Sequence, residues 1–311
     1  MQALLTIAPI FILIALGYFA HQRGFIPPEF LGPANRLTYY FAIPAMVFHA
    51  ISQASLKQDF NPGVLVTTLG AAVLAYAAAW LYCRIRHIPR HRSGSLIQSA
   101  GHGNLGYIGL PFALYILGDA GLVKAGIISG FLMILQNVIS TTALQAYATP
   151  GESRTRPKSL FRQLLGNPVI VASLLGIGVS ASGLSLPPVL HRTLNLLGGL
   201  ASPMALLLIG ASISFGAMRR ELRPILSSLL IKLILLPAIG LSLYLFFDLP
   251  AADFLPGLIL LACPTATVAY IMAKEFGGDT DFVVAAISAS TLLSALSFFI
   301  WISLATHFFA L

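Results

Sequence analysis

Charged residues are scarce in this chain of 311 residues, and their scarcity excludes a soluble protein. Asp, Glu, Lys and Arg together make up 9% of the sequence, whereas 57% is hydrophobic. Soluble domains carry about 25% charged residues, because a water-facing surface needs them. Apolar runs long enough to cross a bilayer recur along the whole chain instead. The composition therefore predicts an all-α membrane protein that crosses the bilayer many times.

Cysteine is almost absent, and the motifs that hold cofactors are missing. Cys83 and Cys263 are the only cysteines, and neither lies in the spacing of a metal or redox site. No G-x-x-x-x-G-K-[ST] motif for ATP occurs. The stretch GHGNLG at 101–106 matches the dinucleotide fingerprint, but it lacks a preceding strand and a suitably placed acidic residue. We expect no cofactor and no resident metal, so any transport must use a gradient or a partner.

Acidic residues are missing from the middle of every predicted span. Cation antiporters with broken helices need a buried carboxylate for the ion or proton, so this absence argues against that class. The ten acidic residues, all in loops or at helix ends, are Glu29, Asp59, Asp119, Glu152, Glu221, Asp248, Asp253, Glu275, Asp279 and Asp281. The net charge of +8 comes from basic residues in short loops, which indicates membrane topology and not nucleic-acid binding.

Ten membrane-spanning helices are predicted from the apolar runs. They cover 3–21, 33–52, 62–83, 94–117, 121–146, 167–183, 190–215, 223–247, 253–275 and 281–308. With the N-terminus outside, fourteen Lys and Arg residues fall in inner loops and three in outer loops. Positive residues are retained on the cytoplasmic side, so both termini are expected outside the cytoplasmic (inner) membrane of the cell.

The two halves of the chain resemble each other at a shift of 159 or 160 residues. Pro9 and Gly17 match Pro168 and Gly176. Further matches are the Pro-Pro pairs 27–28 and 187–188, Pro44 with Pro203, and the Gly-Asp pairs 118–119 and 278–279. Each half has five helices, and an odd number inverts the second half, as in many transporters. We expect a first repeat at 1–150, a cytoplasmic linker at 151–166 and an inverted second repeat at 167–311.

The fourth predicted helix carries glycine and polar residues where a span should be most regular. The run 93–118 has no Asp, Glu, Lys or Arg, and its middle lies in QSAGHGNLGYIGLPF at 98–112. The shift of 160 relates Asn104 to Pro264, in the middle of the ninth helix. Glycine weakens a helix and proline removes a backbone donor. Unwound backbone at this depth needs protein or a watery cavity beside it, so we expect two broken helices that cross beside a cavity.

The sequence resembles the auxin efflux carrier family at these two breaks. The motifs are GHGNLGYIGLP at 101–111, followed by Gly-Asp, and ACPTATVAYIMAKEFGGD at 262–279. They are most similar to those of short prokaryotic members known as malate or malonate permeases, which lack the long central loop of plant exporters. The resemblance implies a fold like that of the bile-acid sodium symporters. It also implies a polar crossover residue at Asn104 and a crossover proline at Pro264.

The same resemblance implies two domains in space. Helices 1, 2, 6 and 7 would form a scaffold, and helices 3–5 and 8–10 would form a transport domain that carries the crossover. A homodimer through the scaffold helices is implied by the resemblance alone.

The candidate site residues surround the crossover. Those expected at the substrate are Asn104, Gly103, His102, Tyr107, Pro264, Thr265, Thr267 and Tyr270, although packing alone would also explain the threonines and tyrosines. Those expected to form the crossover or hinge are Gly101, Gly106, Gly109, Pro111 and Pro264. Pro44, His49 and Pro203 are expected on the scaffold face, and Lys232 is a charge that could lie in the pathway.

Several of these residues allow two interpretations. Asn104 could bind substrate, satisfy carbonyls freed at the break, or do both. His102 could titrate in the cavity or remain neutral and bonded to the backbone. Lys232 could snorkel to the inner interface or face the anion path. Gln136 and Asn137 could link helices by hydrogen bonds or line the cavity.

These features predict a secondary transporter of a small organic anion that works by alternating access. Asn104 and backbone N–H groups near Gly103 and Thr265 would hold a carboxylate, because helix N-termini favour anions. The substrate would be a mono- or dicarboxylate such as malonate or malate, or an auxin-like weak acid. One alternative is a sodium-coupled symporter, and another is a membrane-embedded enzyme or sensor, for which no catalytic cluster is visible. The coupling ion, H⁺ or Na⁺, stays open.

Overall fold

The computed structural model describes residues 2–54, 59–148 and 166–309, and these residues are helical almost throughout. The α-helices are α1 Gln2–Gln22, α2 Pro28–Leu37, α3 Ile43–Ser52, α4 Pro62–Ile85, α5 Arg90–Gly101, α6 Leu110–Tyr147, α7 Pro168–Ser182, α8 Pro188–Gly199, α9 Ala201–Ala211, α10 Phe215–Leu230, α11 Leu236–Phe246, α12 Ala251–Ala262, α13 Val268–Phe276 and α14 Thr280–Phe309. Three π-helical turns are π1 Thr38–Ala42, π2 Leu105–Gly109 and π3 Ile231–Leu235. Lys57 and residues 151–165 of the predicted linker lie outside the described residues.

The lengths of the helices agree with a protein that crosses a membrane several times. Five helical stretches are long and apolar enough to span: 62–85, 105–147, 188–211, 215–246 and 280–305. Shorter apolar helices cover 8–22, 168–182 and 251–262. Helices occupy every predicted span. Gly118, with φ 67° and ψ −163°, kinks the stretch 105–147 at the place where the fourth and fifth predicted spans meet.

Each π turn ends two residues before a proline. Pro44, Pro111 and Pro237 follow π1, π2 and π3 at the same distance. Proline has no N–H to offer the carbonyl four residues earlier, and its ring clashes with that carbonyl. The helix widens by one residue, so the amide after each turn bonds to the residue five positions back. The sequence therefore determines where these helices are irregular.

Helices pack closely where small residues face a neighbouring backbone. Helix α1 lies along α9, and α3 lies along α7. An added Cβ on Gly17 would overlap the backbone of Leu207, and one on Gly210 would overlap the backbone of Ile14. In a lipid environment helix association depends on such packing, because the lipid removes most of the hydrophobic driving force between helices. These glycines let α1 and α9 approach until their backbones touch.

Two ion-paired clusters connect other helices. In the arginine cluster, Arg92 Nη2 lies 3.2 Å from Glu221 Oε1 and Nε lies 3.0 Å from Asp279 Oδ2. In the lysine cluster, Lys124 Nζ lies 2.6 Å from Asp253 Oδ1, and Asn61 Nδ2 donates to Asp253 Oδ2 at 2.9 Å. The arginine cluster joins α5, α10 and the segment before α14, and the lysine cluster joins α4, α6 and α12. Each cluster therefore holds three helical segments together.

Candidate functional site

Two helices break at the positions that the sequence predicts. Helix α5 ends at Gly101 and π2 begins at Leu105, so residues 102–104 are not helical. Helix α12 ends at Ala262 and α13 begins at Val268, so residues 263–267 are not helical. We call 102–104 and 263–267 together the crossover segment. Each break leaves backbone N–H and C=O groups without helical partners, and these need other partners away from water.

The two broken segments satisfy each other's backbone hydrogen-bonding groups. Gly103 and Thr265 form an isolated antiparallel β-bridge. The amide of Asn104 donates to the carbonyl of Pro264 at 2.8 Å, and the amide of Ala266 donates to the carbonyl of His102 at 2.9 Å. The predicted meeting of the two interrupted helices is therefore confirmed. The crossing brings the ends of four half-helices to one place.

Thr265 is held on both sides of the crossing. Its hydroxyl donates to the carbonyl of Ser99 on α5 at 2.9 Å, and its amide donates to Ser290 Oγ on α14 at 3.0 Å. The Thr265 amide was one of the backbone groups expected to hold a carboxylate. In this conformation the amide already has a hydrogen-bond acceptor in the protein. Thr265 therefore links the second break to α5 and α14 by hydrogen bonds.

The two ends of the Asn104 amide have different environments. Oδ1 accepts a hydrogen bond from the Tyr107 amide at 3.3 Å and so caps π2. Nδ2 is buried and has no hydrogen-bond partner in the protein, and the residue is only 4% exposed. An unpartnered buried donor is costly and points to a ligand. The oxygen therefore serves the fold, while the nitrogen is free for a ligand.

Lys232 is the one Asp, Glu, Lys or Arg side chain that is buried in the part of the chain that the structure describes. The residue is 0% exposed, so the interpretation that Lys232 snorkels to the interface is wrong. Its Nζ lies 3.5 Å from the carbonyl oxygen of Leu261 at the end of α12. A Cβ added to Gly103 would lie 3.0 Å from the same nitrogen. The ammonium group thus reaches the crossover.

The π turn explains how Lys232 is held there. Pro237 cannot donate to the carbonyl of Leu233, which is four residues earlier. That carbonyl accepts instead from Ser297 Oγ and from Trp301 Nε1 on α14, both at 2.8 Å. The irregular turn is therefore satisfied by a neighbouring helix, and Lys232 lies within it.

A polar chain connects the first break to α4 and α6. His102 Nδ1 lies 3.0 Å from Ser140 Oγ, which lies 2.9 Å from the hydroxyl of Tyr76. The bonding partner of the His102 ring is thus a serine hydroxyl and not the backbone that one interpretation proposed. Gln136 Nε2 donates to the carbonyl of Gly101 at 3.3 Å, which confirms an interhelical role for Gln136. The bond of Asn137, in contrast, is to Met133 of its own helix.

Other glycines and the tyrosine of the first motif set the shape of this region. Gly101 packs against the ring of Tyr76, and Gly109 packs against Leu260 and Cys263. Gly106 faces Ile43 of α3 and Met133 of α6. The hydroxyl of Tyr107 donates to the carbonyl of Asn35 at 3.0 Å. Pro111 is the second residue of α6.

Other expected site residues are at least partly exposed, or contact groups outside the crossover segment. Tyr270 is 38% exposed, and Thr267 is partly exposed before α13. His49 packs its ring on that of His191, with centroids 4.6 Å apart, and both rings bond to Gln53. On the expected scaffold face, Pro203 is exposed and Pro44 partly exposed.

Sequence reasoning missed three polar residues near the first break, namely Gln98, Ser99 and Ser140. Gln98 is fully buried, and neither its amide nitrogen nor its amide oxygen has a partner. Ser99 Oγ and Gln136 Oε1 also lack partners, whereas Ser140 joins the polar chain described above. The available signal was their polarity within a span, since polar groups at that depth are costly and mark function. Gln98 and Ser99 are adjacent on α5, one turn before the break.

Comparison with known proteins agrees with these features. The sequence profile of the family described as membrane transport protein matches residues 2–302. A protein of Rhizobium meliloti (strain 1021), provisionally named a malonate transporter, is 26% identical over 300 residues, 93% of this chain and 91% of the relative. An uncharacterized transporter of Methanothermobacter thermautotrophicus is 27% identical over 301 residues, 95% and 96% of the two chains. Another, from Methanocaldococcus jannaschii, is 24% identical over 298 residues, 94% and 95%. The chain therefore belongs to this family of membrane transport proteins, the auxin efflux carrier family that its two motifs resemble.

Proposed function

We propose that the protein is a secondary transporter of a small organic anion, whose carboxylate binds at the crossover. The observation that carries this proposal is the unpartnered Nδ2 of Asn104, a buried donor next to Gly103. Gly103 in turn lies against the ammonium of Lys232. A carboxylate would satisfy the amide donor and balance the buried positive charge.

The electrostatics of the crossover favour an anion over a cation. No Asp or Glu is buried among the described residues, so no carboxylate there could neutralise a bound cation. Helix π2–α6 and helix α13 both begin at the crossing, and helix N-termini carry partial positive charge. Broken-helix transporters direct such N-termini at the anionic group of their substrate.

The substrate class follows from chemistry and from a relative. Two kinds of donor, an amide and an ammonium, suit a mono- or dicarboxylate. The Rhizobium relative, provisionally named a malonate transporter, favours malonate or a similar dicarboxylate such as malate. An auxin-like weak acid is the further member of the class to be tested.

We further propose ten spans, both termini outside and two inverted repeats. The two clusters support the repeats, because Asn61 and Glu221 are 160 residues apart and Arg92 and Asp253 are 161 apart. The packing of α1 on α9 and of α7 on α3 also has the reciprocal form that inverted repeats require. The excess of basic residues in the assigned inner loops supports the orientation in the cytoplasmic membrane.

Alternating access explains why the candidate site is closed to solvent. His102, Asn104 and Thr265 are each at most 4% exposed. In this proposal α1–α3 and α7–α9 form a scaffold, and the remaining helices move against it. A homodimer would form through the scaffold helices. The contact between Tyr107 and Asn35 and the contact between Gly106 and Ile43 lie on that boundary. Movement there would expose the crossover to one side and then the other.

The test is uptake by the purified protein in proteoliposomes. Labelled malonate, malate, acetate and indole-3-acetate are offered one at a time, with empty liposomes and a labelled neutral sugar as controls. We expect saturable uptake of at least one carboxylate, competed by the same unlabelled acid. Uptake of no carboxylate above the empty-liposome level, by protein that still unfolds cooperatively, would contradict the proposal.

A further inference from the structure

The ammonium of Lys232, which the proposed function sets near the substrate anion, also lies close to helix C-termini at the crossover. Helix α5 ends at Gly101 and α12 ends at Ala262, so two helix C-termini meet there. The C-terminus of a helix carries partial negative charge on its unpaired carbonyls. In transporters with broken helices, these C-terminal ends and the unwound carbonyls hold the coupling cation, while the N-terminal ends face the substrate anion.

The contacts of Lys232 are those of such a cation. Its Nζ lies 3.5 Å from the carbonyl oxygen of Leu261 near the end of α12. An added Cβ on Gly103 would lie 3.0 Å from Nζ and 3.5 Å from Gln136 Nε2, so the ammonium, the first break and Gln136 are neighbours. Oε1 of Gln136 is buried without a partner, which leaves one more acceptor close to this place.

The side chain is held in this position by the fold. Lys232 belongs to π3, whose carbonyl at Leu233 is satisfied by Ser297 and Trp301. The turn is therefore stable in its irregular form, and the backbone of Lys232 keeps the helical rotation that directs its side chain to the crossover. A positive charge that is fully buried excludes a second cation from the same few ångströms, because like charges repel strongly where water is absent.

We propose that Lys232 is a built-in cation that takes the place of a coupling metal ion at the crossover. The ammonium contacts the Leu261 carbonyl at the end of α12 and lies against the first break at Gly103, where Na⁺ would lie in a cation-coupled relative of this fold. Transport then needs neither Na⁺ nor K⁺. This inference rests on the proposed function only in its statement about transport, because the cation site itself can be tested without any substrate.

The test measures thermal unfolding of the purified full-length protein in detergent. NaCl, KCl, NH₄Cl and choline chloride are compared at equal ionic strength, for the wild type, Lys232→Ala and Lys232→Met. We expect the wild type to unfold at the same temperature in all four salts. Lys232→Ala leaves the carbonyls facing an empty space, so its lowered unfolding temperature should recover saturably with Na⁺ or NH₄⁺ and not with choline. Lys232→Met fills the space without charge and should not respond.

Two results would overturn the inference. One is a saturable rise of the wild-type unfolding temperature with Na⁺ or K⁺ over choline, because a cation would then bind with Lys232 in place. The other is a Lys232→Ala variant that folds and responds to neither Na⁺ nor NH₄⁺. If that variant does not fold, the wild-type comparison decides alone. Failure of carboxylate uptake would refute the proposed function and leave this result unaffected.

Discussion

The backbone amide of Asn104 donates to the carbonyl oxygen of Pro264 over 2.8 Å, so each broken helix is completed by the other. The two residues are 160 positions apart in the chain. Because the bond joins the two breaks directly, a shift of one broken helix would strain or break its contact with the other. In the alternating-access mechanism that we propose, the polar side chains of the crossover move as one unit relative to α3, and a bound carboxylate moves with them.

Asn104→Ala should reduce carboxylate transport strongly. A hydrogen bond to a charged group contributes about 1.5–3 kcal/mol, so we expect the apparent affinity in proteoliposome uptake to fall about 10- to 100-fold. The control is Asn137→Ala, since Asn137 is a half-buried asparagine whose amide bonds within its own helix. Uptake by Asn104→Ala equal to that of the control would remove Asn104 from the site.

Gly101→Ala should destabilise the protein, because the new Cβ would fall on the ring of buried Tyr76. Overpacking of this kind costs about 1–3 kcal/mol. Gly178→Ala is the matched control, since nothing lies within 4 Å of its Cβ position in α7. The control should keep or raise the unfolding temperature, because alanine favours a helix over glycine by about 0.5–1 kcal/mol. Equal unfolding temperatures for the two variants would show that the Tyr76 ring can move to make room for the new Cβ at little cost in stability.

Arg92→Gln should weaken the arginine cluster. The change leaves Glu221 and Asp279 close together without their shared cation, and their side chains are only 16% and 14% exposed. The pairs are neither fully exposed nor fully buried, so we expect a loss of about 1–2 kcal/mol in the free energy of unfolding. Thermal unfolding in detergent checks this against Arg86→Gln, a change at an exposed arginine. A loss no larger than that of the control would mean that the cluster is solvated.

Pro237→Ala should move Lys232 away from the crossover. Alanine restores the N–H that the Leu233 carbonyl lacks, so π3 can relax to a regular α-helix. An α-helical turn holds one residue fewer than a π turn, so the helix before the turn would rotate by about 100° relative to the helix after it. This rotation would move the ammonium away from the Leu261 carbonyl. We expect carboxylate uptake to fall well below that of Pro224→Ala, a proline-to-alanine control in α10 of the same helical stretch. Unchanged uptake would show that the π turn does not position the lysine.

The helix positions and the two breaks could be predicted because their causes are local. Apolar length determines the spans, and glycine next to asparagine or a single proline in such a run marks a break. The shift of 160 residues then related Asn104 to Pro264, and the structure joins these two residues by a hydrogen bond. Both steps need only the order of residues along the chain.

The environment of Lys232 could not be predicted, because it depends on the rotation of its helix. A regular α-helix and one with a π turn direct a side chain about 100° apart, and the sequence alone did not reveal the π turn before Pro237. The partners Ser297 and Trp301 lie on a helix far along the chain. The wrong interpretation of Lys232 as an interfacial residue came from its position along the chain alone.

The exposure of Tyr270 has a similar cause. Tyr270 follows the second break, and its direction depends on how α13 leaves the crossover, which no periodicity specifies over nine residues. Gln98 was missed because its sequence context gave no sign of its importance. It looked like one polar residue among several in α5, and only its burial without partners distinguishes it.

Direct binding of a labelled carboxylate to Asn104→Asp tests the central claim most sharply. Aspartate caps a helix as well as asparagine does, so the bond to the Tyr107 amide and the fold should persist. The free donor Nδ2 is replaced by a negative oxygen, which repels an anion. With the best substrate of the uptake panel, we expect saturable binding to the wild type and to Asn137→Asp, and none to Asn104→Asp. Binding to Asn104→Asp at wild-type affinity would contradict a carboxylate site at the crossover.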